Sequence, residues 1–197
     1  MRYDAEHKQR TRVRVLKEAA RAIRSEGPHR VGVAGVMARA GLTHGGFYAH
    51  FSSKDDLVVA AVAQMFEEAL ANFDRITNGK PPADALRAYV DFYLSPRHRD
   101  ACDTGCPLPA LSADLPRLDR TARDRFALGV QRLTEAIADL LSALGRFDCE
   151  GLASSALAEM VGAVSLARGI TDPRKSNGLL KRSRDLLKVR LGIDEKA

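Results

Sequence analysis

One stretch of the sequence, residues 41–54, contains glycines at a spacing that would bring a helix backbone against a partner. In a helix that begins at Thr43, successive side chains point about 100° apart, so Gly45, Gly46 and Ala49 leave one side nearly bare. Two glycines in a short helix cost about 2 kcal/mol relative to alanine, so helix propensity does not explain them. A partner that must approach the backbone closely explains them better.

The side chains around this bare side could bind phosphates and base edges. Tyr48 and His50 flank it, while Thr43 and His44 lie at its N-terminal end. Such polar groups bond to phosphate oxygens, and a helix with a bare side fits the major groove of a DNA duplex. These residues favour nucleic-acid binding, but a glycine-rich turn packed in a core, with histidines on the surface, is an open alternative at this point.

Neighbouring residues would position this helix. Phe47 and Phe51, four residues apart, share the side opposite the glycines and are expected to face a core. Residues 33–40 are small and apolar and end at Gly41, which suits the turn of a helix-turn-helix motif. Ser53 has the character of a helix N-cap, with an acid three residues later. The pattern predicts two short helices joined by a tight turn and followed by a third.

Positive charge is concentrated around the same segment. Residues 1–60 contain 11 Lys and Arg against 6 Asp and Glu, which accounts for +5 of the net charge of +6. Arg10 and Arg12 lie in a basic run that leads into the first predicted helix, and Lys54 directly follows the predicted N-cap. A basic run is most often a solvated helix face, but beside a groove-binding helix it adds salt-sensitive contacts to phosphates.

The order and spacing of these residues resemble the N-terminal DNA-binding domain of the TetR family of transcriptional regulators. The resemblance extends over residues 11–62 and is carried by Val15-Leu16-Lys17-Glu18-Ala19-Ala20, Gly27, Ala38-Arg39-Ala40-Gly41-Leu42, Gly46-Phe47-Tyr48-Ala49-His50-Phe51, Ser53-Lys54 and Leu57. Many members have Ser or Thr at the N-cap of the helix before the turn, and this sequence has Gly32 there. A direct side-chain contact from that position to a phosphate is therefore not expected.

The resemblance implies which residues contact DNA. Phosphates would be held by Tyr48, His50 and Lys54, with further contacts from Arg10 and Arg12 of the basic run. Base edges would face Thr43, His44 and Gly45, with Gly46 completing the bare side. The implied partner is a double-stranded DNA operator.

The resemblance also implies an all-α architecture with two domains. A three-helix helix-turn-helix DNA-binding domain would span residues 1–52, and a helical bundle that binds an effector and dimerises would span residues 53–197. The implied function is a ligand-responsive regulator, a repressor as in most relatives, which binds a palindromic operator as a homodimer. A small molecule would release it by stabilising a spacing of the two DNA-binding domains that no longer matches adjacent major grooves.

The hydrophobic periodicity independently predicts helices throughout the chain and no strand. The expected boundaries are about 7–25, 53–78, 82–95, a short helix ending near 115, then 116–144, 150–169 and 173–191, with residues 97–103 as a polar stretch between helices. The last two helices carry wide apolar stripes. These are ordinary core or, as the resemblance implies, part of a four-helix bundle between two subunits.

An effector pocket would lie among the middle helices, as in members of the family. The candidate lining residues are aromatic or Met side chains on helices that face inward: Phe66, Tyr89, Phe92, Tyr93, Phe126 and Met160. Each of them would equally serve as ordinary core. The sequence does not identify the effector.

Three cysteines, Cys102, Cys106 and Cys149, fit no standard zinc site, and no metal or other cofactor is implied. Cys106 directly precedes Pro107, so its sulfur would lie at a helix N-terminus, where a thiolate is stabilised. Cys106 is thus a possible sensor thiol, with Cys102 as a resolving partner. The alternative is a small side chain packed in the core.

Other classes of protein find little support in the sequence. No catalytic triad, Gly-rich phosphate loop or paired metal-binding histidines are recognisable, so we expect no enzyme activity and no catalytic residues. No apolar run reaches the length of a membrane span and no secretory signal is recognisable, so we expect a cytoplasmic protein without a membrane partner. The alternative from another class is a helical ligand-carrying or catalytic protein whose basic N-terminal part merely binds acidic surfaces.

Overall fold

A computed structural model of the protein describes residues 2–194, and every regular element in that range is helical. This confirms the predicted all-α fold. Nine α-helices and two 3-10 helices lie within the described range: α1 (Arg2–Glu26), α2 (Val33–Arg39), a first 3-10 helix (His44–Ala49), α3 (Lys54–Thr77), α4 (Pro82–Tyr93), α5 (Pro96–Asp100), α6 (Pro107–Leu111), a second 3-10 helix (Leu115–Arg117), α7 (Arg120–Ala143), α8 (Cys149–Gly169) and α9 (Pro173–Leu191). Of these helices, none is long and apolar enough to cross a membrane.

Helix α1 supports the N-terminal part of the molecule, which we call the head (residues 2–52). It begins at Arg2 rather than near His7, and it ends where Gly27 adopts a φ of +83° and donates its N–H to the Ile23 carbonyl at 2.9 Å. Buried side chains recur along it three and four residues apart and pack against α2, α3 and α6. They include Val15, Ala19, Ala22 and Ile23. This side of α1 fixes the position of the shorter helices.

Helix α2 and the first 3-10 helix, which we call the reading helix (His44–Ala49), form a helix-turn-helix. Gly41 in the turn has a φ of +68°, and the Leu42 N–H closes α2 by donating to the Met37 carbonyl at 2.9 Å. The α-helix predicted from Thr43 is instead a 3-10 helix, in which Gly46 N–H donates to the Thr43 carbonyl at 3.1 Å. Two glycines give an α-helix little support, and 3-10 geometry is common in such short segments.

Helix α3 joins the head to the remainder of the protein. Its predicted N-cap is present: Ser53 Oγ accepts from the Asp56 N–H at 3.0 Å, and Asp56 Oδ2 accepts from the Ser52 N–H at 3.0 Å. The helix continues to Thr77 and packs against α1, α4, α6 and α7. Because one rigid helix contacts both parts, a tilt of α3 would move the head.

Helix α5 spans Pro96–Asp100 and so includes the first four residues of the polar stretch 97–103, where the sequence predicts no helix. Ser95 caps the helix by accepting from the His98 N–H at 3.1 Å, and Pro96 occupies its first position. Ser-Pro reads as a stop signal after α4, but the same pair is a favoured start of a new helix. The short helix turns His98 into the interior.

The boundaries that follow α5 also differ from the prediction. Helix α6 ends at Leu111, and α7 begins at Arg120 rather than at residue 116. The start of α7 is set by Asp119, whose carboxylate accepts from the Ala122 N–H at 2.7 Å. Helices α8 and α9 lie where periodicity predicted them, and α9 ends at Gly192 with a φ of +65°.

Candidate nucleic-acid interface and ligand cavity

The reading helix has an open side made of nearly bare backbone. Gly45 and Ala49 are exposed, and a Cβ placed on Gly45 would have no atom within 4 Å. Gly46 is half-buried, with Met37 Cε at 3.7 Å and Thr43 Oγ1 at 3.8 Å from its Cβ position. We call the exposed surface of the reading helix, which includes Gly45 and Ala49, the reading face. A flat surface can approach the backbone closely there.

The opposite side of the reading helix anchors it to the head. Phe47 and Phe51 are buried, and their rings stack with centroids 5.6 Å apart. The Arg12 guanidinium of α1 lies 4.5 Å from the centroid of the Phe51 ring, which places a cation against this anchor. Adjacent residues of the reading helix therefore face opposite environments, with Phe47 1% exposed and Tyr48 71% exposed.

The polar residues predicted to contact DNA surround the reading face. Thr43, His44 and Tyr48 are exposed, and His50 is half-buried. Burial lowers the pKa of His50, and the positive charges of Lys8, Arg12 and His7 lower it further. The basic N-terminal part of α1 therefore lies beside the reading helix and makes this side of the head electropositive. Arg10 is exposed on the same helix.

Lys54 has a partner within the protein. Its Nζ donates to the His29 carbonyl at 2.9 Å, in the segment between α1 and α2. Gly32 is the N-cap of α2, and because glycine has no side chain it makes no side-chain capping bond. Lys54 thus ties the start of α3 to the head and keeps a positive charge close to the helix-turn-helix.

A cavity of about 200 Å³ lies between α3, α4, α5 and the segment before α6. Of the six predicted lining residues, the cavity is bordered by Tyr89, Phe92 and Tyr93. Phe66 and Met160 are buried elsewhere in the core, while Phe126 stacks edge-on against Phe66 and borders a separate groove of about 460 Å³ between α7 and α8. The structure therefore brings together only the three α4 aromatics.

Two residues that the sequence did not single out connect this cavity to the head. Arg24 of α1, whose side chain is 1% exposed, donates from Nη2 to Glu68 Oε2 at 2.8 Å and to the Met65 carbonyl at 3.4 Å. Glu68 of α3 borders the cavity. The partners are 44 residues apart in sequence, so no local pattern could reveal the pair.

His98 forms the buried end of the cavity wall and was also missed. Its Nδ1 lies 2.8 Å from the Tyr93 carbonyl, and its Nε2 accepts from the Cys106 N–H at 3.1 Å. These contacts require a neutral ring with its proton on Nδ1. Burial lowers the pKa of His98, the Arg168 charge also lowers it, and the hydrogen bond to Tyr93 opposes them. The sequence feature that could have predicted this position of His98 is the Ser95-Pro96 pair, which is a favoured start of a helix.

Cys106 lies at the N-cap of α6, the position expected from its place before Pro107. Burial raises the pKa of the Cys106 thiol, and contacts with Tyr93 and Leu108 and the charges of Arg24 and Arg168 only oppose that effect. The thiolate is therefore not the favoured form at neutral pH, in contrast to the expectation from the helix N-terminus. The thiol borders the cavity.

The apolar stripes of α8 and α9 serve mainly the core of the subunit. Their most buried members are Ala153, Ala156, Met160, Val164, Leu180, Leu187 and Leu191. The outward side of α8 carries small residues, among them Ser154, Ala158 and Ser165, followed by the exposed Leu166. On α9, Leu186 and Val189 are 69% and 61% exposed. These two helices therefore leave an apolar surface uncovered.

Comparison with known families gives two matches that together extend over most of the chain. Residues 15–61 match the family described as bacterial regulatory proteins, tetR family. Residues 82–181 match the family described as tetracyclin repressor-like, C-terminal domain. No curated protein sequence matches the chain.

Solved structures of similar fold cover nearly the whole chain. A TetR transcriptional regulator from Chloroflexus aurantiacus is 27% identical with a TM-score of 0.80, over 95% of this chain and 96% of that chain. The reduced form of NemR from E. coli is 19% identical with a TM-score of 0.79, over 91% and 96%. A TetR family regulator from Agrobacterium tumefaciens is 24% identical with a TM-score of 0.75, over 91% and 98%. The last two similarities establish the fold alone.

Proposed function

Since this chain belongs to the TetR family of bacterial regulatory proteins, we propose that it binds a palindromic DNA operator as a homodimer, represses transcription in the cytoplasm and is released by a small-molecule effector. The observation that carries the proposal is the reading face. Gly45 and Ala49 expose backbone on a short helix that is anchored from behind by buried phenylalanines. A helix of this shape fits the major groove, where base edges can be distinguished.

The surroundings of the reading face suit a DNA duplex. Tyr48 and His50 flank the face and would hold phosphates, while Thr43, His44 and Gly45 would face bases. Arg10 and Arg12 extend the positive surface along α1, and this arrangement adds affinity that does not depend on sequence. Lys54 would donate to a phosphate only if it gave up or shared its bond to the His29 carbonyl.

Dimerisation through α8 and α9 is supported by the apolar surface that these helices leave uncovered. Exposed leucine and valine side chains next to small residues allow two helix pairs to approach closely. One short reading helix contacts too few base pairs for high specificity, whereas a two-fold pair reads both halves of a palindrome. The dimer thus follows from what readout requires as well as from the exposed surface.

Release by an effector requires a connection between cavity and head. Helix α3 contributes Glu68 to the cavity wall and packs against α1, and the bond from Arg24 to Glu68 joins the same two helices. A molecule in the cavity that shifts α3 would change the orientation of the head. By linkage, an effector that weakens DNA binding must bind the DNA-free conformation more tightly.

Fluorescence anisotropy with a labelled palindromic duplex from the gene's own promoter tests the proposal. We expect binding that weakens steeply as salt rises and that exceeds binding to an unrelated duplex of the same length. Phosphate contacts give the salt dependence, and base contacts give the selectivity. Equal binding to both duplexes, or none, would favour the alternative of a helical ligand-binding protein with a basic head.

Single substitutions separate the proposed roles within the head. Tyr48→Ala or His50→Ala should weaken binding to all duplexes by a similar factor, whereas His44→Ala should relax the preference for the promoter duplex. Arg120→Gln removes a positive charge from the exposed start of α7 and serves as the control that leaves binding unchanged. If all three head variants bind like the unmodified protein, the assignment of these residues is wrong.

Cys106 offers a second route of release, because its thiol borders the cavity. Burial of the thiol limits that route to small reagents that can enter the cavity, and the raised pKa slows it because less thiolate is present at neutral pH. Such treatment should lower DNA affinity in the unmodified protein and not in Cys106→Ser protein. If the unmodified protein keeps its DNA affinity, Cys106 is not a sensor.

A further inference from the structure

We propose that the cavity between α3, α4 and α5 binds a small aromatic carboxylate that carries an oxygen on the far side of its ring. The carboxylate would lie between Arg75 and Arg97, the ring would pack against the α4 aromatics, and the ring oxygen would accept from the Tyr93 hydroxyl. The inference rests on the proposed function, because it identifies the chemical class of the effector.

The size of the cavity restricts the ligand to a single ring. Its volume of about 200 Å³ is below the range of roughly 300–1,000 Å³ typical of pockets for drug-sized molecules. Aromatic side chains form the wall: Tyr89 and Tyr93 meet edge to face with centroids 5.8 Å apart, and the Phe92 and His98 rings are tilted by 36° with centroids 5.2 Å apart. Such walls favour a flat ligand that can stack on one ring and meet the edge of another.

The charges at the cavity favour an anion over a cation. Glu68 is the one acid among the lining residues, and both of its oxygens are occupied, Oε2 by Arg24 at 2.8 Å and Oε1 by Gln64 at 3.2 Å. Within the described range, Arg75 donates to the neutral Asn72 Oδ1 at 2.7 Å and to no other side chain. Among the described residues, neither Arg75 nor Arg97 is paired with an acid. Two exposed guanidinium groups at the rim therefore lack a counter-charge, and a carboxylate matches them in geometry as well as in charge.

The interior of the cavity contains a hydroxyl whose side-chain partner is weak. The Tyr93 side chain is 1% exposed, no acceptor among the described residues is in good hydrogen-bonding geometry with its hydroxyl, and the side chain it interacts with is the Cys106 thiol. A thiol is a weak acceptor. A ligand oxygen that reached the hydroxyl would therefore be a stronger acceptor than the one the protein supplies. The donor lies deep in the cavity and the arginines lie at its rim, so a ligand must be polar at both ends.

Isothermal titration calorimetry of the full-length protein with 4-hydroxybenzoate tests the inference. We expect a dissociation constant on the order of 1 mM or tighter, as for a well-matched ligand of this size. The neutral analogue 4-hydroxybenzamide should bind at least about tenfold more weakly, because it lacks the charge that the two arginines would neutralise. Absence of 4-hydroxybenzoate binding, or equal binding of the amide, would overturn the inference.

Substitutions at the two ends of the cavity give a second test. Arg97→Gln and Arg75→Gln should each weaken 4-hydroxybenzoate binding about tenfold, whereas Arg120→Gln, the same change of charge on α7, should leave it unaltered. Tyr93→Phe removes only the hydroxyl and its weak contact with the Cys106 thiol, so the protein should still fold. That variant should bind 4-hydroxybenzoate no better than it binds benzoate. If it retains the preference for the hydroxylated ligand, or if all three arginine variants bind equally, the assigned contacts are wrong.

Anisotropy with the promoter duplex on the same samples separates this inference from the proposed function. Selective DNA binding without 4-hydroxybenzoate binding overturns the ligand class and leaves the regulator intact. Ligand binding without DNA binding upholds the cavity assignment and overturns the regulator. Both together, with the ligand lowering DNA affinity, support the complete account.

Discussion

The reading face and the cavity are built in opposite ways. The reading face exposes backbone that a large surface can approach, because Gly45 has no side chain and has open space where a Cβ would be. In the cavity, large side chains from several helices enclose a small space, and the buried Tyr93 hydroxyl has a weak partner in the Cys106 thiol. The reading face depends on the absence of a side chain in one short segment. The cavity depends on side chains that several separate helices bring together.

This difference predicts that the head tolerates substitutions on the exposed side of the reading helix and not on the buried side. Phe47 and Tyr48 are neighbours, but only Phe47 is packed in the core. In the cavity the same residues line the ligand space and form the core, so a change there alters stability and binding together. Substitutions can test the contrast, and the largest effect is expected in the anchor of the reading helix.

Phe47→Ala should lower the free energy of unfolding by about 3–5 kcal/mol, because it leaves a cavity beneath the reading helix. Tyr48→Ala should change it by no more than about 0.5 kcal/mol, because the ring is largely exposed. Urea denaturation measures the free energy of unfolding of both variants. Similar losses in the two variants would show that the two sides of the reading helix are not distinct.

Two glycines extend the comparison to the core between α3 and α7. A Cβ on Gly129 of α7 would overlap the Phe66 ring, so Gly129→Ala should cost about 1–3 kcal/mol of stability. Gly45→Ala should be neutral or stabilise by up to about 1 kcal/mol, because its Cβ would enter open space. Thermal or urea unfolding distinguishes the two. A destabilised Gly45→Ala together with a neutral Gly129→Ala would reverse the assignment of open and filled space.

Lowering the pH should reduce the free energy of unfolding through His98 in the cavity wall. Its pKa in the folded protein is lowered from the ordinary value of 6.5 mainly by burial, so the unfolded chain takes up the proton first as pH falls. The stability gained from neutral His98 is complete above about pH 6.5 and is lost progressively as pH falls toward the folded-state pKa. Unfolding free energies measured across this range should depend on pH less steeply in His98→Gln than in unmodified protein. His50, whose pKa is also lowered, remains in both proteins, so an identical slope would exclude the contribution of His98.

The sequence predicted the helix-turn-helix well because its signals are local. Gly41 has the left-handed φ that the turn requires, and Ser53 caps α3 as its spacing to Asp56 predicted. The difference lies in the geometry of the reading helix, which is 3-10 rather than α. Glycine content shows that backbone is exposed, but it does not determine which helix type a six-residue segment adopts.

The cavity was predicted only in part because its residues come from separate segments. Periodicity showed that Phe66, Phe126 and Met160 face inward, but it could not show that they border different spaces from the α4 aromatics. The pair formed by Arg24 and Glu68 depends on how α1 crosses α3, which no spacing in the sequence records. The position of His98 depends on α5, which begins at the Ser95-Pro96 pair where the sequence predicts only the end of α4.

The central claim is that Gly45 leaves backbone open for a DNA duplex, and binding of the promoter duplex by Gly45→Leu protein tests it most directly. The account predicts an unchanged fold and a loss of DNA affinity of at least about tenfold, because the new side chain would hold the reading helix away from the groove. Ala71→Leu, which enlarges an exposed side chain on α3, should bind like unmodified protein. A folded Gly45→Leu protein with unmodified affinity would contradict the account.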